Sequence, residues 1–188
     1  MIRGELEFFR TRLPAPPAGI LEVGCGEGAL AEQLAADGYR VTAIDPEAPE
    51  GPIFRRERVE EHEGGPYEAV AAARSLHHVD DLATVVAKLA RLAPLLVLAE
   101  FAWERFDERT ARWCEHDLAA WREEHEHLHR FSAIRAALER EFEERYFAWT
   151  PYLYDYPGGV DYAAEQAAID AGAIRALGVR YVGARWTS

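Results

Sequence analysis

Residues 21–30, LEVGCGEGAL, decide the fold, because a short apolar run leads through closely spaced glycines into a helix-forming segment. The glycines are Gly24, Gly26 and Gly28. Without a Cβ in the way, the backbone N–H groups of such a loop can approach a ligand closely. Residues 29–37 are helical in composition and end before a glycine. The stretch therefore predicts a strand, a ligand-binding loop and a helix.

Further apolar runs alternate with helical segments on both sides of this loop. Strands alternating with helices at this spacing predict a parallel sheet covered on both faces. We therefore expect an α/β fold of three layers, Rossmann-like, with a mostly parallel sheet of about seven strands. The expected strands are 20–23, 40–44, 53–56, 68–73, 95–99, 146–150 and 178–185, and the expected helices include 1–12, 29–37, an Asp80- or Asp81-capped helix to Leu92, and 161–171.

The segment after residue 101 is helical, charged and rich in aromatic residues. An apolar stripe at spacings of four and three residues predicts one amphipathic helix there, followed by a helix from a Ser132 cap to about residue 142. We expect residues 1–188 to form one domain, with 102–130 as a helical insertion after the fifth strand. The stripe consists of Cys114, Leu118, Trp121, His125 and Leu128.

Charge and composition exclude several classes of partner. The 188 residues carry 33 acidic and 21 basic side chains, a net charge of −12, which disfavours nucleic acid and anionic membrane surfaces. No apolar run approaches the roughly 20 residues of a membrane span, and the N-terminus is too charged for a signal peptide. We expect a cytoplasmic protein, a monomer or a homodimer, acting on a small molecule.

Metal and disulfide chemistry are also disfavoured by the sequence. Two cysteines, Cys25 and Cys114, cannot build a disulfide scaffold or a four-ligand zinc site. On a helix, His125 and His129 share a face but His127 points away, so the three cannot bind one ion. We therefore expect no metal site.

Asp45 ends the second predicted strand, 21 residues after Gly24, where a carboxylate can accept both hydroxyls of an adenosine ribose. A nicotinamide dinucleotide is one candidate ligand, because Gly24, Gly26 and Ala29 fit its relaxed fingerprint. Against it, Glu22 lies in the first strand, where it would repel a phosphate. A carboxylate there suits a cation instead, as in S-adenosylmethionine, which carries a sulfonium and an ammonium and no phosphate.

Residues 22–28 together with Asp45 and the Ser75-Leu-His-His-Val-Asp80 stretch resemble the class I S-adenosylmethionine-dependent methyltransferases that act on small molecules. The resemblance covers about residues 18–100. It implies transfer of a methyl group by in-line displacement, with Asp45 on the ribose and Pro46 beside the adenine. It further implies that the methionine part of the cofactor is surrounded by Glu22, Gly24, Cys25, Gly26 and Gly28, and its sulfur end by Arg74, Ser75 and Leu76.

One position departs from the family pattern. The acidic residue that often meets the adenine after the third strand is replaced here by Arg58. We expect the backbone of Val59 or the carboxylate of Glu60 to make that contact instead. A methyltransferase-like protein that binds the cofactor without reacting, and a nicotinamide-dependent oxidoreductase, remain the alternatives.

Two side chains are candidates for accepting a proton from the methyl acceptor. Glu100 ends the most apolar strand at the carboxyl edge of the sheet, where ligands bind in open α/β folds. His77 has a pKa suited to acid–base work near neutral pH. We expect the insertion to cover the site as a lid, with Trp103, Trp121 and His125 in the acceptor pocket. The acceptor atom, whether O, N, C or S, is not fixed by the sequence.

Overall fold

The computed structural model describes residues 4–156 and 159–186. A seven-stranded sheet in the order β3-β2-β1-β4-β5-β7-β6 forms its centre. The strands β1 to β5 run parallel, whereas β7 runs antiparallel to both β5 and β6. This confirms the predicted α/β fold with a mostly parallel sheet. The strands are β1 Gly19–Val23, β2 Arg40–Ile44, β3 Phe54–Arg55, β4 Ala69–Ala73, β5 Leu95–Phe101, β6 Phe142–Thr150 and β7 Gly178–Arg185.

Helices cover both faces of this sheet, and alternate residues of the central strands point to opposite sides. Leu96 and Leu98 of β5 pack in one apolar core, and Val97 between them packs in the other. All three side chains are fully buried, as expected for a strand covered on both faces. The helices are α1 Glu5–Arg12, α2 Ala29–Ala36, α3 Leu82–Leu92, α4 Glu108–Trp113, α5 Leu118–His125, α6 Phe131–Glu141 and α7 Tyr162–Asp170.

The prediction of one amphipathic helix across residues 114–128 is wrong. Helix α4 ends at Trp113, Glu115 has a left-handed φ of 55°, and α5 begins only at Leu118. Asp117 starts α5 because its side chain accepts the N–H groups of Ala119 and Ala120 at 2.6 and 3.2 Å. Of the predicted stripe, Leu118, Trp121 and His125 lie in α5, whereas Cys114 and Leu128 lie in the turns on either side of it.

The predicted cap of the following helix is also wrong. Helix α6 begins at Phe131, so Ser132 lies inside its first turn. Glu104 caps the helix instead, because its carboxylate accepts the N–H groups of Phe131 and Ser132 at 3.2 and 2.9 Å. The next strand then starts at Phe142, four residues earlier than predicted.

The remaining boundaries agree with the sequence within one or two residues, apart from residues 1–3, which lie outside the described part of the chain. Among the described residues, none of the helices has the length and apolar character needed to cross a membrane.

Candidate functional site

Two cavities open at the edge of the sheet where the parallel strands end. The larger, of about 590 Å³, lies beyond the ends of β1, β2 and β4. The smaller, of about 230 Å³, lies beyond the ends of β4, β5 and β6 and the start of β7. Glu5 and Arg74 line both cavities, so the two are neighbours along one edge. This is the edge where open α/β sheets bind ligands.

In the wall of the larger cavity, the backbone of Gly24 lies very close to Ser75. Its φ is 73°, and a Cβ at this position would lie 2.2 Å from Cβ of Ser75, in the loop after β4. Its N–H donates to the carbonyl oxygen of Ile44 at 2.9 Å, which ties the loop to the end of β2. Only glycine fits here, since a side chain would push two strand ends apart.

The other two glycines of the loop lie in different surroundings. Gly26 lines the larger cavity, and a Cβ there would meet no heavy atom within 4 Å in the described structure. Gly28 begins α2 with a φ of 86° and lies against the ring of Phe54, which a Cβ would approach to 2.5 Å. Gly28 is not among the residues that line the cavity, so it shapes the helix start rather than the cavity wall.

Glu22 places a buried carboxylate in the larger cavity. The side chain is 2% exposed, and its Oε2 has no hydrogen-bond partner among the described residues. Burial, together with the negative charges of Glu5 and Asp45, raises the pKa of Glu22 to about 8. A buried carboxylate without a partner is costly, and a cation brought beside it would relieve that cost.

Cys25, between the glycines, lines the same cavity. Burial and the nearby charges of Glu22 and Asp45 raise the pKa of its thiol to about 12. The thiol therefore stays protonated at neutral pH and is a poor nucleophile.

Asp45 is held in position at the end of β2. Its Oδ2 accepts the N–H of Gly26 at 3.1 Å, and its Oδ1 accepts the N–H of Glu47 at 2.8 Å. Both Asp45 and Pro46 line the larger cavity. A carboxylate fixed by two backbone donors at an open wall can accept hydroxyl groups of a ligand without reorganising.

The segment after β3 supplies the opposite wall of the larger cavity, with Glu57, Arg58, Val59 and Glu60 among its lining residues. The guanidinium of Arg58 pairs with Asp80 at 2.6 Å. Glu57 was not among the site residues predicted from the sequence. Its Oε1 lies 2.7 Å from Nδ1 of the buried His62, whose Nε2 in turn lies 2.9 Å from the Tyr67 hydroxyl. In the sequence, only the regular Glu-x₄-His-x₄-Tyr spacing of these three residues could have indicated this chain of hydrogen bonds.

Arg74 and Ser75 close the larger cavity from the end of β4. Arg74 has a left-handed φ of 54°, and its guanidinium pairs with Glu5 of α1 at 2.8 Å. Ser75 Oγ is buried and has no partner among the described residues. Leu76, predicted beside them, is fully buried and is not among the lining residues of either cavity. Glu5 was not predicted as a site residue, because no local sequence pattern links α1 to the end of β4.

His77 and Glu100 form a buried pair. Nδ1 of His77 lies 2.7 Å from Oε2 of Glu100, and the side chains are 5% and 0% exposed. Glu100 also accepts the N–H of Leu76 at 2.8 Å and that of Phe101 at 3.3 Å. Glu100 lines the smaller cavity. The structure thus brings the two predicted catalytic side chains into direct contact.

His78, rather than His77, lines the larger cavity. Its ring centroid lies 4.2 Å from that of His77. Desolvation and the neighbouring His77 lower the pKa of His78, which favours the neutral imidazole at physiological pH.

The residues predicted for the acceptor pocket pack together away from both cavities. Trp121 stacks between Phe106 and His125, with ring centroids at 4.3 and 4.1 Å, and its indole N–H donates to the carbonyl oxygen of Trp103 at 3.0 Å. Trp121 is 1% exposed. Among the described residues, none from 101 to 130 lines either cavity. Trp103, Trp121 and His125 thus fill a satellite core, and a lid over the site stays a prediction.

The histidines after Trp121 make hydrogen bonds to the backbone. His125 Nδ1 lies 2.8 Å from the carbonyl oxygen of Trp121, and His129 Nε2 lies 2.7 Å from that of Val79. In the ranges that the structure describes, no group of three or more His, Cys, Asp or Glu side chains is arranged to hold a metal ion.

The amino-acid sequence is similar to those of known methyltransferases. A family described as "Methyltransferase domain" matches residues 2–150. The ubiquinone biosynthesis O-methyltransferase of Xylella fastidiosa strain 9a5c is 36% identical over 46% of this chain and 42% of its own length. That of Hahella chejuensis is 28% identical over 83% of this chain and 77% of its own. The chain thus spans less than half the length of the first relative and about three quarters of the second.

Solved structures show the same fold. The geranyl diphosphate C-methyltransferase of Streptomyces coelicolor, in complex with Mg²⁺, geranyl diphosphate and S-adenosyl-L-homocysteine, superposes with a TM-score of 0.66 at 14% identity. The superposition covers 97% of this chain and 79% of that one. With the match over residues 2–150, the chain belongs to the methyltransferase-domain family and has the fold of the class I S-adenosylmethionine-dependent methyltransferases.

Proposed function

We propose that this protein transfers a methyl group from S-adenosylmethionine to a hydroxyl group of a small molecule. The observation that carries the proposal is the Glu22 carboxylate, buried in the larger cavity with an unpartnered oxygen and a pKa raised to about 8. A dinucleotide would bring its phosphates toward this carboxylate, whereas S-adenosylmethionine has no phosphate and can place its ammonium or sulfonium group there. The O-methyltransferase names of the relatives support oxygen as the acceptor atom.

The residues of the larger cavity fit such a cofactor. Glu22 would hold its ammonium group, with the backbone at Gly24, Cys25 and Gly26 in van der Waals contact. Asp45, already fixed by two backbone N–H groups, would accept the ribose hydroxyls. The bound cofactor supplies a methyl group activated by the sulfonium. The protein therefore has chiefly to align the partners and exclude water.

The positions of the remaining lining residues assign them to the adenine or to the sulfur end of the cofactor. Pro46, Val59 and Glu60 line the wall next to Asp45 and would surround the adenine. Arg74 and Ser75 lie at the opposite end, nearest the smaller cavity, and would close over the sulfur.

The proton released by the acceptor hydroxyl would pass to the Glu100–His77 pair. Glu100 lines the smaller cavity and lies 2.7 Å from Nδ1 of His77, which lines neither cavity, so the hydroxyl proton would reach the histidine through Glu100. Because Glu100 accepts hydrogen bonds on both oxygens, it also fixes the orientation of the imidazole. The buried pair can thus take up one proton without a large rearrangement.

Thermal unfolding with added ligand tests the proposal. A ligand bound only by the native state stabilises it, by about 2.7 kcal/mol at a concentration one hundred times the Kd. S-adenosylmethionine and S-adenosylhomocysteine should therefore raise the Tm, and NAD should not. Stabilisation by NAD alone would favour an oxidoreductase instead.

A second measurement separates an enzyme from a protein that only binds the cofactor. Incubation with S-adenosylmethionine carrying a tritiated methyl group and a panel of small hydroxylated compounds should move label into a small molecule. Cofactor binding without label transfer to any acceptor would favour the binding protein.

A further inference from the structure

We propose that the smaller cavity is the acceptor site, and that it takes a small, uncharged molecule built on one hydroxylated aromatic ring. This inference rests on the proposed function, in which the larger cavity holds the cofactor. The smaller cavity lies along the same sheet edge and shares Glu5 and Arg74 with the larger one. It is therefore the neighbouring space from which an acceptor can reach the sulfur end of the cofactor.

The size of the smaller cavity limits the acceptor. A cavity of about 150 Å³ is enough for benzene, and drug-sized ligands occupy about 300–1,000 Å³. At about 230 Å³, the cavity has room for one substituted ring and too little for a fused or chain-bearing molecule in its interior. Any longer substituent would have to extend outside.

Aromatic side chains line this cavity and favour a planar ligand. Tyr152 stacks on Phe101 with ring centroids 4.4 Å apart and an angle of 3° between the planes. Tyr154 and Tyr162 meet edge to face at 4.8 Å. With Trp149, these tyrosines line the cavity. Aromatic rings set in a mostly polar lining suit a ring bearing hydroxyl substituents.

The charges around the smaller cavity balance. Its lining includes two acidic side chains, Glu5 and Glu100, and two basic ones, Arg74 and Arg180. Glu5 pairs with Arg74 at 2.8 Å, and Glu100 is satisfied by His77 and two backbone N–H groups. An uncharged acceptor would enter without leaving a charge uncompensated, whereas an ionised one would have to compete for these contacts.

The tyrosine-bearing wall is held by one buried carboxylate. Glu165 of α7 is 0% exposed and accepts the N–H groups of Tyr152, Leu153 and Tyr154 at 2.8, 3.1 and 3.0 Å. Three donors on one carboxylate fix the backbone of this turn and hence the positions of its rings. Glu165 is thus a positioning residue for the acceptor site.

The Glu5–Arg74 ion pair forms the wall that the two cavities share. Glu5 is 3% exposed, and Arg74 adopts a left-handed backbone conformation that is uncommon outside glycine. An acceptor hydroxyl must pass beside this pair to reach the cofactor.

Ligand-observed saturation-transfer NMR with catechol, at saturating S-adenosylhomocysteine, tests the inference. Gln166 of α7 lines the smaller cavity, so Gln166→Trp should fill its mouth. Gln33 of α2, the other glutamine of the chain, is exposed and is not among the lining residues of either cavity, so Gln33→Trp is the matched control. Benzoate serves as the charged single-ring probe.

We expect catechol to bind the wild type and Gln33→Trp, at least about tenfold more tightly than benzoate, and to bind Gln166→Trp at least about tenfold more weakly than the wild type. Tighter binding of benzoate, or catechol binding that Gln166→Trp leaves unchanged, overturns the inference while S-adenosylhomocysteine still binds all three proteins. Failure of S-adenosylhomocysteine to bind the wild type overturns the proposed function and the inference together.

Discussion

The two cavities at the carboxyl edge of the sheet are built in different ways. Apart from Glu5, the larger is lined by residues between 22 and 79, mostly at the ends of β1, β2 and β4 and in the loops that follow β1 to β4. The smaller takes nearly all its lining from residues after 98, in β5, β6, β7, α7 and the turn before α7. A site made by strand ends and a glycine loop leaves a local pattern in the sequence. A site assembled from side chains of distant elements leaves almost none.

We expect the largest loss of stability from a substitution in the glycine loop that lines the larger cavity. Gly24→Ala places a Cβ 2.2 Å from Cβ of Ser75 in a left-handed conformation, so we expect a loss of about 2–5 kcal/mol in unfolding free energy, from overpacking and backbone strain together. Gly26→Ala is the control, with no heavy atom near the new Cβ and a loss of only about 1–2 kcal/mol. Urea denaturation measures the unfolding free energy of both variants. Equal losses would contradict the close contact between Gly24 and Ser75.

The same contrast explains what could be predicted from the sequence. Strand β2 and helix α3 have the predicted boundaries, because apolar periodicity and the Asp81 cap are local signals. The break at residues 114–117 and the start of α6 could not be predicted, since Glu104 caps α6 from 27 residues away. The glycine loop and Asp45 line the larger cavity, and the same local signals predicted their places at the strand ends.

The smaller cavity could not be predicted because its parts meet only in the folded chain. Glu5 comes from α1, Arg74 from the end of β4, and Tyr152 and Tyr154 from a turn held by Glu165. Trp103 and Trp121, which were predicted to line the acceptor pocket, fill a satellite core instead. Aromatic density alone does not separate a core from a pocket, since both are built from the same side chains.

Weakening the hydrogen bonds of Glu165 beside the smaller cavity should leave ligand binding in the larger cavity unchanged. Glu165→Gln weakens charge-assisted hydrogen bonds to three backbone N–H groups, so we expect a loss of about 1.5–3 kcal/mol in unfolding free energy. Affinity for S-adenosylhomocysteine should stay at the wild-type value by isothermal titration calorimetry. The exposed Glu32→Gln of α2 is the control. A large loss of cofactor affinity in Glu165→Gln would mean that the two cavities are not independent.

The converse substitution should affect only the larger cavity. Asp45→Ala removes the carboxylate proposed to bind the ribose and should weaken S-adenosylhomocysteine binding by about 1.5–3 kcal/mol, the range for hydrogen bonds to a charged group. Asp37→Ala is the control, because Asp37 pairs with Arg10 at the surface and is not among the lining residues of either cavity. Wild-type affinity in Asp45→Ala would place the ribose elsewhere.

The central claim is that the Glu22 carboxylate binds the cationic part of the cofactor. With a pKa of about 8 in the free protein, Glu22 is mostly protonated at pH 7, and a bound cation would lower that pKa. Binding must therefore expel a proton. Affinity should fall as the pH is lowered below 8, by up to about tenfold per pH unit.

Calorimetric titration of the wild type and Glu22→Gln with S-adenosylhomocysteine at pH 7, in two buffers of different ionisation enthalpy, measures this proton directly. We expect the wild type to release close to one proton, and Glu22→Gln to release none and to bind more weakly. Binding without proton release in the wild type, or equal affinity in the two proteins, would contradict it.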